Sequence, residues 1–110
     1  VILNKKKLRN AITTAVTLGL AYRNNGDIEL SVDPSLINLE YEIANRVLQT
    51  ETIQLIAKYF DENKDLPKRD WVGKRVNELL NKNWIASSEK RNGSALLNWY
   101  IWSMEKIEMT

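Results

Sequence analysis

Neither cysteine nor histidine occurs in this chain of 110 residues. Without cysteine there is no disulfide framework, no thiolate metal site and no thiol nucleophile. Without histidine the commonest general base and imidazole ligand are missing, and serine or cysteine triads go with them. Long apolar runs are absent too: nothing approaches the ~18 residues a membrane span needs. Val1-Ile2-Leu3 is too short for a signal-peptide core, and the basic residues follow it instead of preceding it. A large charge of one sign is also lacking, since 16 Lys and Arg face 14 Asp and Glu for a net +2.

Two partial motifs fail on inspection. Asp61-Glu62-Asn63-Lys64-Asp65 begins like a calcium loop, but Leu66 stands where glycine is needed and Val72 where glutamate is needed. Gly73-Lys74 resembles the end of a phosphate-binding loop, but Lys68 stands where its first glycine belongs and no strand precedes it. We therefore expect no enzymatic activity, no cofactor and no metal.

What is present describes one ordinary domain. The 44% hydrophobic residues suffice for a core without staples, and the 27% charged residues suit a soluble globular chain. We expect a single domain over 1–110, with an N-terminal helix and short strand in 1–34 and helices plus a hairpin in 35–110. Beginning at Val1, the chain reads as a piece of a longer protein or one with its start removed. A cysteine-free chain without a secretory signal fits a reducing compartment, so a cytoplasmic location is expected. Asn92-Gly93-Ser94 matches the glycosylation sequon but reads as a turn. Charge is uneven. Residues 64–91 hold eight Lys or Arg against four acids, a local balance of +4, which leaves the rest net acidic by two.

Hydrophobic periodicity predicts most elements. Leu8, Ile12, Ala15, Val16, Gly19 and Leu20 predict an amphipathic helix over 4–22, stopped by Asn24-Asn25-Gly26-Asp27. Ile28, Leu30 and Val32 alternate with polar residues and predict a short, half-buried strand. Ser35 caps a helix over about 36–49, and Thr50 caps the next, unless the two run on as one. Asn63 to Pro67 is a polar loop. A third helix spans about 68–82, with Val72, Val76, Leu79 and Leu80 on its buried side. Trp84-Ile85-Ala86-Ser87 reads as strand, and Glu89 to Ser94 as a charged turn with a hairpin-type Asn-Gly. Residues 95–102 are rich in strand-favouring aromatics. A rival reading makes 94–109 one helix capped by Ser94, because Leu97, Ile101, Met104 and Glu108 also fit that period.

The stretch Trp71-Val-Gly-Lys-Arg-Val-Asn-Glu-Leu-Leu-Asn-Lys-Asn-Trp-Ile85, with the basic turn at 89–94, resembles the recognition helix and wing of a winged helix-turn-helix domain. The pattern is similar to that of MarR-type regulators over residues 50–102. There the third helix ends in a leucine-rich turn, a glycine and an apolar pair opening the first wing strand. The corresponding residues are Leu79-Leu80, Asn83 and Trp84-Ile85. Asn83 departs from glycine but tolerates a left-handed helix stop. The resemblance implies a mainly α fold with a small β-hairpin wing, an α+β class.

It also implies a surface. Lys68, Arg69, Lys74, Arg75, Asn77 and Asn81 would meet the major groove or its phosphates, and Lys90 and Arg91 at the wing tip would meet the flanking backbone. For each, an ordinary solvated position is the competing reading. Gly73 would approach a DNA backbone or a neighbouring helix. The four tryptophans, 71, 84, 99 and 102, pack a core or form a stacking platform.

The first expectation is a DNA-binding domain, a transcription regulator or part of a larger DNA-handling protein. Its partners are double-stranded DNA and a second copy or a parent-protein domain, with no membrane. The second is a protein–protein interaction module on a winged-helix-like fold. Lys74, Asn77 and Arg91 on one continuous face would favour the first. An open apolar patch at Trp99 or Trp102 would favour the second.

Overall fold

The computed structural model describes residues 13–33, 35 and 37–108. The fold is mainly helical with one small antiparallel sheet, an α+β arrangement. In chain order it runs α1 (13–17 among the described residues), β1 (Ala21–Asn24), β2 (Asp27–Leu30), α2 (Leu39–Gln49), α3 (Glu51–Asn63), α4 (Arg69–Leu80) and α5 (Ala86–Glu108).

Helix α1 stops earlier than its periodicity suggests. Gly19 takes φ +75, the Gly19 N–H donates to Val16, and the Leu20 N–H donates to Ala15. This left-handed stop satisfies the last carbonyls and turns the chain into β1. The expected helix over 4–22 is therefore corrected at its end, while residues 4–12 lie outside the described residues. Asn25 and Gly26, with φ of 51 and 88, form the two-residue loop of a hairpin pairing Ala21 with Leu30 and Asn24 with Asp27. Positive φ at both loop positions matches the right-handed twist of the strands. Position 26 is thus the one in this hairpin that needs glycine. Strand β2 is exposed along its length, so the expected half-burial of Ile28 and Leu30 is not found, and Val32 falls beyond the strand. The Tyr22 hydroxyl and the Glu29 carboxylate, cross-strand neighbours, share a hydrogen bond that raises the phenol pKa and lowers that of the acid.

Helices α2 and α3 are separate. Thr50 adopts an extended ψ of 146 between them, and its hydroxyl donates back to the Val47 carbonyl instead of capping α3. Ser35 likewise bonds Asp33, and α2 begins at Leu39 after Asn38. Helix α4 begins after Lys68 and stops at Asn81, whose left-handed φ of 51 is followed by a second at Asn83, φ 59. Asn83 is left-handed as expected, but the helix stop itself is Asn81, two residues earlier.

The segment expected to form the wing is different. Residues 86–108 are one continuous helix of 23 residues, about 34 Å long at 1.5 Å per residue. Trp84-Ile85 lies in loop 81–85, and Asn92-Gly93 lies inside the helix. The helical alternative over 94–109 is correct in kind, but the helix starts at Ala86 and needs no Ser94 cap. The β-hairpin of this fold is β1–β2, far from position 89 in sequence.

Helix α5 organises the core by packing on α4, α2 and α3. Leu96 and Tyr100 from α5 meet Val72 and Val76 of α4, Ile53 and Ile56 of α3, Val47 of α2, and Leu18 after α1. Fully burying each such aliphatic side chain stabilises the fold by roughly 1.5–3 kcal/mol. Tyr100 ionises above its ordinary value, first because it is buried and then because Glu108 is near.

Candidate functional site

Helix α4 presents three rows of different character. Val72 and Val76 enter the core. The i+4 row Arg69, Gly73 and Asn77 faces α5. A β-carbon on Gly73 would lie 1.9 Å from the Glu89 carbonyl oxygen, and one on Gly93 would lie 2.0 Å from that of Arg69. The two backbones therefore touch at an antiparallel glycine crossing, with Arg69 level with Gly93 and Asn77 level with Glu89. Gly73 approaches a neighbouring helix, the plainer of its two expected roles.

Asn77 locks this crossing. Its side-chain oxygen accepts from the Trp84 N–H at 3.0 Å, and its amide donates to the Trp84 carbonyl at 3.0 Å and to the Glu89 carboxylate at 2.7 Å. One side chain thereby holds both the loop backbone and the first turns of α5. Its donors and acceptor are spent, so it is not a free base-reading group. Periodicity missed this because the partners lie 7 and 12 residues away. The available signal was position: Asn77 continues the row of Gly73.

The outer row of α4 alternates Asp70, Lys74 and Glu78, and further lysines stand before and after it. Lys68, at the N-cap, and Lys74 are exposed, as are Lys82 in the following loop and Lys90 on α5. Among the described residues no carboxylate lies within 4 Å of any of the four. The nearby acids are engaged: Asp70 with Arg69 at 3.8 Å, Glu78 with Arg75 at 3.4 Å, and Glu89 with Asn77. Asn81 is exposed at the left-handed end of α4.

Arg91 does not join this row. It stands two positions from both Glu89 and Gly93, and two helical steps turn a side chain by about 200°. It therefore projects from the side of α5 away from α4. There it lines an open cleft of about 350 Å³ with Ala15, Leu20, Ala95 and Trp99. A second cleft, of about 240 Å³, is formed by Asn98, Trp99 and Trp102. The two meet at Trp99, making one trough along α5. Trp99 and Trp102 pack edge to face, centroids 5.4 Å apart, and Lys106 lies 5.7 Å above the Trp102 ring while pairing with Glu40 at 2.9 Å. Trp99 also packs against the core, as do Trp84 and Trp71, the last meeting the Tyr59 ring at 4.7 Å.

Of the eight residues expected at a nucleic-acid surface, Lys68, Lys74, Asn81 and Lys90 are exposed. Arg69 and Arg75 are exposed with acidic neighbours, Asn77 is turned inward, and Arg91 is on the side of α5 away from α4. Among the described residues no group of three acids is placed to hold a metal ion, and no helix is long and apolar enough to cross a membrane. The chain matches no protein family, no curated protein and no solved structure.

Proposed function

We propose that this chain is a non-enzymatic nucleic-acid-binding domain that holds duplex DNA by its phosphates along the outer side of α4. The observation carrying this reading is the pairing pattern of residues 68–91. Among the described residues, Lys68, Lys74, Lys82 and Lys90 have no carboxylate within 4 Å, while Asp70, Glu78 and Glu89 are each occupied. Such a surface offers mobile cations with few planar hydrogen-bonding groups, the chemistry of backbone contact more than of base reading. The helix-turn-helix resemblance supports α3, the loop and α4 as the contacting unit. With a helix at 86–108, no wing at 89–94 takes part.

The test is anisotropy of labelled random duplex DNA over a salt series. Binding should weaken steeply with salt, and replacing Lys74 with alanine should reduce the logarithmic slope by about one. No binding at low salt would refute the reading.

The aromatic trough favours a second reading, a protein-interaction module. Clefts lined by two half-buried tryptophans on α5 offer apolar surface to a protein partner. In that reading the lysines keep the chain soluble and the trough carries the function.

A further inference from the structure

We infer that the trough along α5 is the seat of a second copy of this chain, packed as an antiparallel pair of α5 helices centred on Asn98. A half-buried stripe of α5 beside the clefts is periodic. Ala95, Trp99 and Trp102 recur at spacings of four and three, the pattern of a helix seam. Arg91, Asn98 and Glu105 flank that seam at spacings of seven, and all three are exposed. No residue of the opposite charge lies within 4 Å of Arg91 or Glu105 among the described residues.

The flanking row is complementary to itself in only one direction. Arg91 lies seven residues before Asn98, and Glu105 lies seven after it. An antiparallel copy centred on Asn98 sets each Arg91 opposite the other chain's Glu105, closing two ion pairs about one twofold axis. A parallel copy would set Arg91 on Arg91 and Glu105 on Glu105. The two Asn98 amides meet at the centre, where a single polar residue can fix register. The bulky Trp102 of one helix then comes level with the small Ser94 and Ala95 of the other, so large side chains enter where the cleft leaves room. Charge and shape select the same alignment.

This inference builds on the aromatic surface of the second reading and is independent of DNA binding, because the row Arg91, Asn98 and Glu105 faces away from α4. It also leaves both α4 surfaces of the pair free.

Sedimentation velocity over a concentration series tests it. The chain should pass from monomer to dimer at roughly micromolar concentration, as suits a small interface. Its tryptophan emission should shift to the blue over the same range. R91E and E105R should each weaken the dimer about tenfold or more, and the double exchange R91E/E105R should restore it to within about threefold. Because both residues are exposed, helical circular dichroism should be unchanged in all three. W102A should abolish the dimer. A chain that stays monomeric at millimolar concentration with no change in emission overturns the inference. So does a double exchange no better than either single one. A monomer that binds an apolar dye in a Trp102-dependent way also overturns it, while leaving the trough as a surface for a different protein.

Discussion

Two Asn-Gly pairs occur in this chain, and they have opposite fates. Asn25-Gly26 turns a two-stranded hairpin whose residues 22–30 are all exposed. Asn92-Gly93 lies in the longest helix, with Gly93 buried against another backbone. The same dipeptide supplies positive φ in one place and a missing side chain in the other. Its neighbours decide which. Around Gly26 the residues alternate over a few positions and bury little. Around Gly93 the positions Glu89, Leu96 and Tyr100 form a helical face that meets α4 and the core. Packing along that face outweighs a local turn preference.

The comparison is most exposed at the glycines. Replacing Gly93 with alanine would push a β-carbon to 2.0 Å from the Arg69 carbonyl and 2.8 Å from the Gly73 nitrogen. Both are backbone atoms, so the helices must separate. A loss of about 3 kcal/mol is expected by chemical denaturation, and a similar one for Gly73→Ala. At Gly26 an added β-carbon meets nothing within 4 Å, and only the φ of 88 resists it. Gly26→Ala should cost about 1 kcal/mol, the left-handed penalty alone. Equal losses at 26 and 93 would contradict the distinction drawn between the two pairs.

Asn77 comes next. Asn77→Ala removes both partners from the Trp84 backbone and the amide from Glu89, and about 2 kcal/mol should be lost. Hydrogen exchange at the Trp84 amide should accelerate along with it. A neutral substitution with unchanged exchange would return Asn77 to the solvent-facing role its residue type suggested.

The smallest effect concerns Tyr100. Its folded-state pKa is raised above 10.0 by burial, then by Glu108. The stability linked to this group is complete below the unfolded value near 10 and is lost as pH rises through the folded value. In an alkaline absorbance titration, Tyr100→Phe should remove signal from the late part of the curve. The exposed hairpin offers a contrast, since Tyr22 is also raised but by the Glu29 hydrogen bond, and Glu29→Gln should bring it earlier.

Much of the fold was legible in the sequence where one apolar stripe repeated without interruption. Val72, Val76 and Leu80 located α4 to within about two residues, although Leu79, expected on the same buried side, is exposed, and Ile53 and Ile56 located α3. Helix α5 was legible only as a rival reading over 94–109, because Trp, Tyr and Ile crowd residues 99–102 and Asn-Gly precedes them. Those aromatics serve two surfaces, the core through Tyr100 and Trp99, and the trough through Trp99 and Trp102. A helix apolar on two sides resembles a strand apolar on both faces. The local excess of lysine and arginine in 64–91 was legible from composition, and the surface they were expected to form came from the helix-turn-helix resemblance. The inward turn of Asn77 was not, since nothing local announces its partners at 84 and 89. Nor was the separation of Arg91 from Lys90, which depends on reading 89–94 as a helix, where adjacent residues diverge by about 100°.

The most direct measurement compares two variants of equal charge. Lys74→Ala and Arg23→Ala each lower the net charge of +2 by one, but Lys74 lies on the outer row of α4 and Arg23 on β1. Salt-dependent binding to random duplex DNA should lose about one unit of slope with Lys74→Ala and keep the parent slope with Arg23→Ala. Equal losses in both variants would mean that net charge, and no surface of α4, carries whatever binding exists.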